Sequence, residues 1–319
     1  MRILIFSDLH LSDATKSLAE RLLEQILSED VDVVFHLGDL FELKDRIPNH
    51  LQKLVIDFVS RLVDQGKQFY TLFGNHDGYI RDFPSAVYLN HIKGAYLITE
   101  PKVVLDQFFF VPYDSNLQNL KSVLENSPDV PFCCIHADIE KLSPAKEALP
   151  QNLFDSFRYV FAGHIHQPQR SGKFICVGNP FARNFTETSP YNKPVLRGYL
   201  ILSGNKLSFC PFDAPFYVKI SAPTEDKIKV FCEAYKGKQV HLWLDYETET
   251  EAEFQFDNVE ILSKIVTKTV PKESFEGVES EVKIASLEKY LDLVLKYKRD
   301  KQAYLDVARE ILSSLGVVL

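Results

Sequence analysis

Phe69-Tyr70-Thr71-Leu72-Phe73-Gly74-Asn75-His76-Asp77 is the stretch on which the fold turns. An apolar run too short for a helix stops at a glycine, and three residues able to bind a metal or a phosphate follow at once. A run of this length bounded by turn residues reads as a buried strand. The pattern returns on either side. Ile3–Phe6 precedes Asp8-Leu9-His10, Val31–Leu37 precedes Gly38-Asp39, Phe132–Ile135 precedes His136, and Tyr159–Phe161 precedes Gly163-His164-Ile165-His166. Ser17–Leu27 and Leu51–Val63 carry apolar residues at helical spacing and read as amphipathic helices between strands. Strands alternating with helices imply an α/β fold, in which ligands bind outside the carboxyl ends of the strands.

Each block alone has an ordinary explanation. Asp8 suits a turn, Asn75 beside Gly74 suits a positive-φ position, and an H-x-H pair can line one face of a strand. His36 lies inside a strand pattern, and His50, His91 and His241 match no block; these four read as structural or surface residues. Packing does not explain five strand ends that all carry Asp, Asn or His. That donor set suits two borderline-hard divalent ions. Mixed nitrogen and oxygen donors without thiolate favour Mn²⁺, with Mg²⁺ as the alternative.

The ordered set D-x-H, G-D, G-N-H-D, H and G-H-x-H resembles the calcineurin-like metallophosphoesterases over roughly residues 1–215. The resemblance implies a four-layer α-β-β-α sandwich. It also implies that Asp8, His10, Asp39 and His166 hold one ion, that Asp39, Asn75, His136 and His164 hold the other, and that Asp39 bridges them. Two metals about 3.5–4 Å apart clamp the attacking and leaving oxygens of an in-line displacement and activate a water. By the same resemblance His76 is catalytic and faces the phosphate, and Asp77 orients a neighbouring group. Lys44, Arg46 and Arg183, with Arg81, Arg170 and Lys193, are candidates for substrate phosphate contacts; each is equally readable as a solvated surface charge.

The chain of 319 residues suggests two domains. Its net charge of −8 weighs mildly against a nucleic-acid binder, although two dications would offset four of those charges. Five scattered cysteines make no disulfide framework, and Cys133-Cys134 read as buried thiols of a reducing compartment. Met1 leads straight into a strand, and no apolar run approaches the roughly 20 residues of a membrane span. A cytoplasmic protein with no signal peptide and no membrane contact is expected.

Beyond the last block, Lys173–Val177, Leu196–Leu202 and Lys206–Pro211 read as strands of a second sheet, and Gly178-Asn179-Pro180-Phe181-Ala182-Arg183 forms a turn between two of them. The resemblance implies that this turn approaches the site. Residues 216–270 read as a small β-α-β-α-β capping domain with strands at Ala214–Ser221, Gln239–Asp245 and Val259–Thr269. Residues 271–283 read as a polar linker, and 284–319 as two amphipathic helices with apolar stripes. The layout is similar to the SbcD nuclease family, which implies a metal-dependent DNA nuclease whose tail binds an SbcC-type ATPase and which forms a homodimer through helices near 51–63 and 83–92. One departure stands out: many of that family carry a second phosphate-facing histidine where this chain has Glu42. Two rival readings are a small-substrate phosphodiesterase, which leaves the tail unexplained, and a regulatory subunit with a vestigial site, which the intact donors oppose.

Overall fold

The structure is a computed structural model describing residues 1–79, 84–143, 145–246 and 252–268. Strands β1 (Arg2–Phe6), β2 (Val33–His36), β3 (Gln68–Leu72) and β4 (Ala95–Ile98) lie parallel and side by side in one sheet. Helices α1 (Lys16–Ser28) and α2 (Asn49–Asp64) make the crossovers from β1 to β2 and from β2 to β3. The second sheet runs β5 (Lys102–Val104), β6 (Phe108–Val111), β7 (Phe132–His136), β8 (Tyr159–Gly163), β10 (Phe174–Cys176), β9 (Gln169–Ser171) in spatial order. Helix α3 (Leu117–Glu125) leads from β6 to β7; Asn116 caps it by accepting a hydrogen bond from the Gln118 amide at 3.0 Å.

Strand alternation sorts side chains into three buried layers. On β1, Ile3 and Ile5 join Val33 and Phe35 of β2 and Phe108, Phe110, Phe132 and Phe161 of the opposite sheet. Leu4 and Phe6, pointing the other way, pack with Leu22, Ile26, Val55 and Val59 of α1 and α2. On the far side Phe109, Cys133 and Ile135 pack with Leu120 and Leu124 of α3. Helix, sheet, sheet, helix is the expected order of layers. Cys133 and Cys134 are buried free thiols, as expected.

Three expectations need correction. Of the strands assigned to the second sheet, only Phe174–Cys176 lies there. β11 (Gly198–Ser203) instead pairs antiparallel with β1 (Ile3 with Leu202), and β12 (Lys206–Pro211) pairs with β11, extending the first sheet. Their alternation showed strands but not which edge they join. The helix expected near 83–92 is, in its described part, a five-residue 3-10 turn at Val87–His91. Asn90 accepts a hydrogen bond from the Leu97 amide across the next loop, at 2.8 Å, and positive-φ Gly94 starts the return to β4. The third concerns the appendage, where, among the described residues, β13 (Phe216–Ser221), α4 (Glu225–Ala234), β14 (Gln239–Tyr246) and β15 (Glu260–Lys268) make a three-stranded sheet with one helix; residues 252–259 are not helical, and the rest of the stretch where a second helix was expected, 247–251, lies outside the described residues.

Residues 1–245 and 252–267 form one compact unit. The linker expected at 271–283 and the helix pair expected at 284–319 lie outside the described residues.

Candidate metal centre

The two sheets bring their carboxyl ends together. Beyond the ends of β1 and β2 the chain keeps pairing, the Asp8 amide donating to Gly38 O and the His10 amide to Asp39 O, each at 3.0 Å. This sets Asp8, His10 and Asp39 on one shelf. Asn75 and His76 follow β3, His136 ends β7, and His164 and His166 follow β8. Asp8, His10, Asp39 and His164 all have positive φ, between 44° and 76°. Left-handed backbone in non-glycine residues concentrates where function demands it. The glycines of the motifs are required by contact: a Cβ on Gly38 would strike His136, one on Gly74 would strike Asp39, and one on Gly163 would strike Ser7 and Leu37 O.

The side chains converge as two donor groups, Asp8, His10, Asp39 and His166 on one side and Asp39, His136 and His164 on the other. Asn75 completes the second: its Oδ1 lies 3.0 Å from His136 Nε2 and 2.7 Å from His164 Nδ1. Asp39 Oδ2 lies 3.5 Å from His10 Nε2 and 3.5 Å from His136 Nε2, while its Oδ1 accepts the His76 amide at 2.7 Å. One oxygen is thus held by backbone and the other faces both groups.

These donors fit divalent cations. His10 Nε2 and His166 Nε2 face each other at 3.1 Å, close to the separation of two donors each about 2.1 Å from one ion at a right angle. Every histidine in the two groups has an oxygen within 3.2 Å of its other ring nitrogen, hydrogen-bonded for His136, His164 and His166 and in close contact without a hydrogen bond for His10. His10 Nδ1 lies 3.0 Å from Glu42, His136 Nδ1 2.7 Å from Leu37 O, His166 Nδ1 2.9 Å from Glu187, and His164 Nε2 3.2 Å from Asp138. Such outer partners fix the tautomer and orient the ring toward a metal. Burial disfavours charge on His136, yet the Asp39 and Asp8 carboxylates outweigh it and push its pKa up to about 9. The pocket's field calls for positive charge.

Asp77 is fully enclosed and accepts from the Asp39 and Gly74 amides at 2.8 Å and the Leu40 amide at 2.9 Å. It therefore fastens the β2 loop to the β3 loop. Burial and the nearby Asp39 charge raise its pKa, and the backbone donors oppose that rise. His76 donates from Nδ1 to Glu42 O at 2.8 Å, which leaves Nε2 free; its ring stands edge-on to His10 at 4.8 Å. His36 stays outside both groups: it bonds Thr71 Oγ1 at 2.9 Å, and burial depresses its pKa to about 3.

The Gly178–Arg183 turn does reach the centre. Gly178 has φ +69, and a Cβ there would strike Pro168. Arg183 reaches His166 Nδ1 at 3.2 Å, but two carboxylates, Glu42 and Glu187, already hold it. Lys44 sits 5.8 Å over the Tyr79 ring, Arg46 and Lys193 are exposed, and Arg170 lies over Tyr159; Arg81 is outside the described residues. Among the described residues, none of these four is grouped with the donors. Sequence reading missed Glu42 as a histidine partner, and it missed Glu187 and Asp138 altogether. They lie outside every motif, and nothing in their local sequence distinguishes them from other acidic loop residues.

A family profile described as calcineurin-like phosphoesterase matches residues 1–168. The DNA double-strand break repair protein Mre11 of Saccharolobus solfataricus is 26% identical over 230 residues, covering 63% of this chain and 60% of that protein. The chain thus spans about 60% of that relative's length. Mre11 of Nanoarchaeum equitans is 21% identical, over 83% of this chain and 82% of its own. A UDP-2,3-diacylglucosamine hydrolase of Chromohalobacter salexigens is 32% identical over 32% of this chain and 41% of that protein. Among solved structures, a dimetal phosphatase from Danio rerio is similar over 63% of this chain and 91% of its own, with 14% identity and a TM-score of 0.40. The matched profile covers more than half of the residues and all five donor blocks, and the chain belongs to the calcineurin-like phosphoesterases.

Proposed function

We propose that this chain is the nuclease subunit of a DNA repair or recombination complex, hydrolysing phosphodiester bonds at a two-ion centre, with Mn²⁺ as its working metal. The observation that carries the reading is Asp39 Oδ2, equidistant from the histidines of two donor groups, with the free Nε2 of His76 alongside. Similarity to two Mre11 proteins supports DNA over a small substrate.

Bound divalent ions would supply an activated water and an electrostatic clamp on the phosphate. Asp8, His10, Asp39 and His166 would hold one ion, and Asp39, Asn75, His136 and His164 the other. His76, aimed from Nε2, steadies charge on the phosphate oxygens or gives a proton to the departing oxygen. Asp77 keeps the two ligand loops in register. Asp8, His10, Asp39 and His136 are buried, whereas Asn75, His76, His164 and His166 are partly exposed, so substrate enters over this second set. The ATPase partner at 284–319, the homodimer, the cytoplasmic location and substrate contacts by Lys44 and Arg46 belong to the same proposal, whereas Arg183, expected among those contacts, is held by Glu42 and Glu187 instead. Among the described residues no helix is long and apolar enough to cross a membrane.

Purified protein incubated with Mn²⁺ and labelled duplex DNA, with and without the ATPase, tests it. Metal-dependent cleavage supports the reading. Hydrolysis of bis(p-nitrophenyl) phosphate with no DNA cleavage would favour the small-substrate phosphodiesterase.

A further inference from the structure

Two ligand histidines of one ion are tied together behind the centre. His166 Nδ1 is hydrogen-bonded to Glu187 at 2.9 Å, and His10 Nδ1 lies 3.0 Å from the Glu42 carboxylate in a charge contact that is not a hydrogen bond. Arg183 joins the two carboxylates: its Nη1 donates to Glu42 Oε2, and its Nε and Nη2 donate to Glu187 Oε1 at 2.9 and 2.6 Å. Glu187 is further fixed by the Asn179 amide group at 2.5 Å and by the Arg183 backbone amide at 3.1 Å. Across the centre the support is weaker. His136 leans on the neutral carbonyl of Leu37, and His164 on Asp138 at 3.2 Å. The donors are unequal too. The first group contributes the carboxylates of Asp8 and Asp39, while the second has only the shared Asp39 and the uncharged amide of Asn75.

We propose that Glu42, Arg183 and Glu187 form a charged clamp that positions His10 and His166 and makes the ion on Asp8, His10, Asp39 and His166 the more tightly held of the two. A carboxylate on the far nitrogen raises the basicity of a ligating imidazole and locks its tautomer. One clamp acting on both histidines restrains two of four donors. Glu42 then has two roles: its side chain serves a ligand and its carbonyl orients His76. Arg183 is accordingly a positioning residue, saturated by carboxylates. This inference rests on the two-ion reading of the site but on no choice of substrate.

The test is a Mn²⁺ titration of the chelator-stripped full chain, followed by calorimetry and by the electron paramagnetic resonance signal of free Mn²⁺. Wild type takes up two ions in separable steps. An Asn75→Ala background removes a donor of the weaker ion and isolates the stronger one. In that background Glu42→Gln weakens the remaining ion by roughly 10- to 100-fold, the usual effect of losing an outer partner, and Asp138→Asn leaves it unchanged. Glu187→Gln acts in the same direction as Glu42→Gln. Glu42→Gln is the decisive variant, because its side chain is 40% exposed and its loss leaves the core intact; a melting curve checks this. Unchanged affinity in folded Glu42→Gln overturns the clamp alone. A folded wild type that binds no Mn²⁺ overturns the metal centre itself, and the clamp with it.

Discussion

A carboxylate oxygen 3.5 Å from two imidazoles that belong to different donor groups can serve two cations at once. Asp39→Ala should therefore remove both ions together rather than one. Ligands that bind only the folded state stabilise it by RT ln(1 + [L]/Kd), about 2.7 kcal/mol at 100 times Kd. Mn²⁺ should raise the melting temperature of wild type and leave that of Asp39→Ala unmoved; a metal-induced shift persisting in the variant would refute the bridge. His76 predicts the opposite split. Its Nδ1 is occupied by Glu42 O and it belongs to neither donor group. His76→Ala should keep wild-type Mn²⁺ content while kcat falls by roughly 10²–10⁴-fold, as metal analysis and steady-state kinetics on one preparation would show. The converging Asp, Asn and His residues were legible in the sequence because each sits within five residues of the end of an apolar run. Glu42, Glu187 and Asp138 were not, because contacts across 32, 21 and 26 residues join them to their histidines.

At the scale of elements, the strands aim the donors and the rings between the sheets aim the strands. Phe35 of β2 packs edge-on against Tyr70 at 5.7 Å, Phe108 at 5.0 Å and Phe110 at 4.8 Å, joining the two sheets four residues before Asp39. Phe35→Ala should cost roughly 3–5 kcal/mol of stability, the range for emptying a buried aromatic site. It should also weaken Mn²⁺ binding, since β2 loses its hold on the opposite sheet. Chemical denaturation and a metal titration would test both; a full loss of stability with unchanged metal affinity would show that the loops, not the strands, set the centre. Periodicity revealed α1 and α2, whose observed limits extend the expected spans by one or two residues at each end. It did not reveal that β11 and β12 join the first sheet, because edge pairing depends on partners distant in sequence. The helix near 83–92 was expected from the resemblance alone, and no periodicity in those residues supported it beyond the 3-10 turn at Val87–His91.

At the scale of the whole molecule, two bound dications would offset four of the charges in the net −8. The cap sheet meets the centre through one short turn. Phe185 stacks edge-on against Tyr217 at 5.1 Å and Trp243 at 5.6 Å, and Glu187 of the same turn holds His166. The metal centre and the cap thus lie in a single compact unit, residues 1–245 with 252–267. Residues 284–319 lie outside the described residues. Their sequence repeats Leu287, Tyr290, Leu291, Val294 and Leu295, then Tyr304, Val307, Ile311, Leu312 and Leu315, at helical spacing. An apolar stripe left in water favours association, and an amphipathic helix commonly docks by i, i+3, i+4, i+7 anchors in a partner's groove. Every described donor and outer partner of the centre lies before residue 188. Deleting 284–319 should consequently leave Mn²⁺ stoichiometry and Mn²⁺-dependent cleavage of short DNA at wild-type levels, and should abolish co-purification with an ATPase partner and any ATP-dependent stimulation. Leu291→Glu, which sets a charge in the first stripe, should weaken that complex without affecting the basal rate. Full-strength co-purification of the truncated chain would refute the docking role. Loss of metal on truncation would show instead that the tail packs on its own catalytic unit.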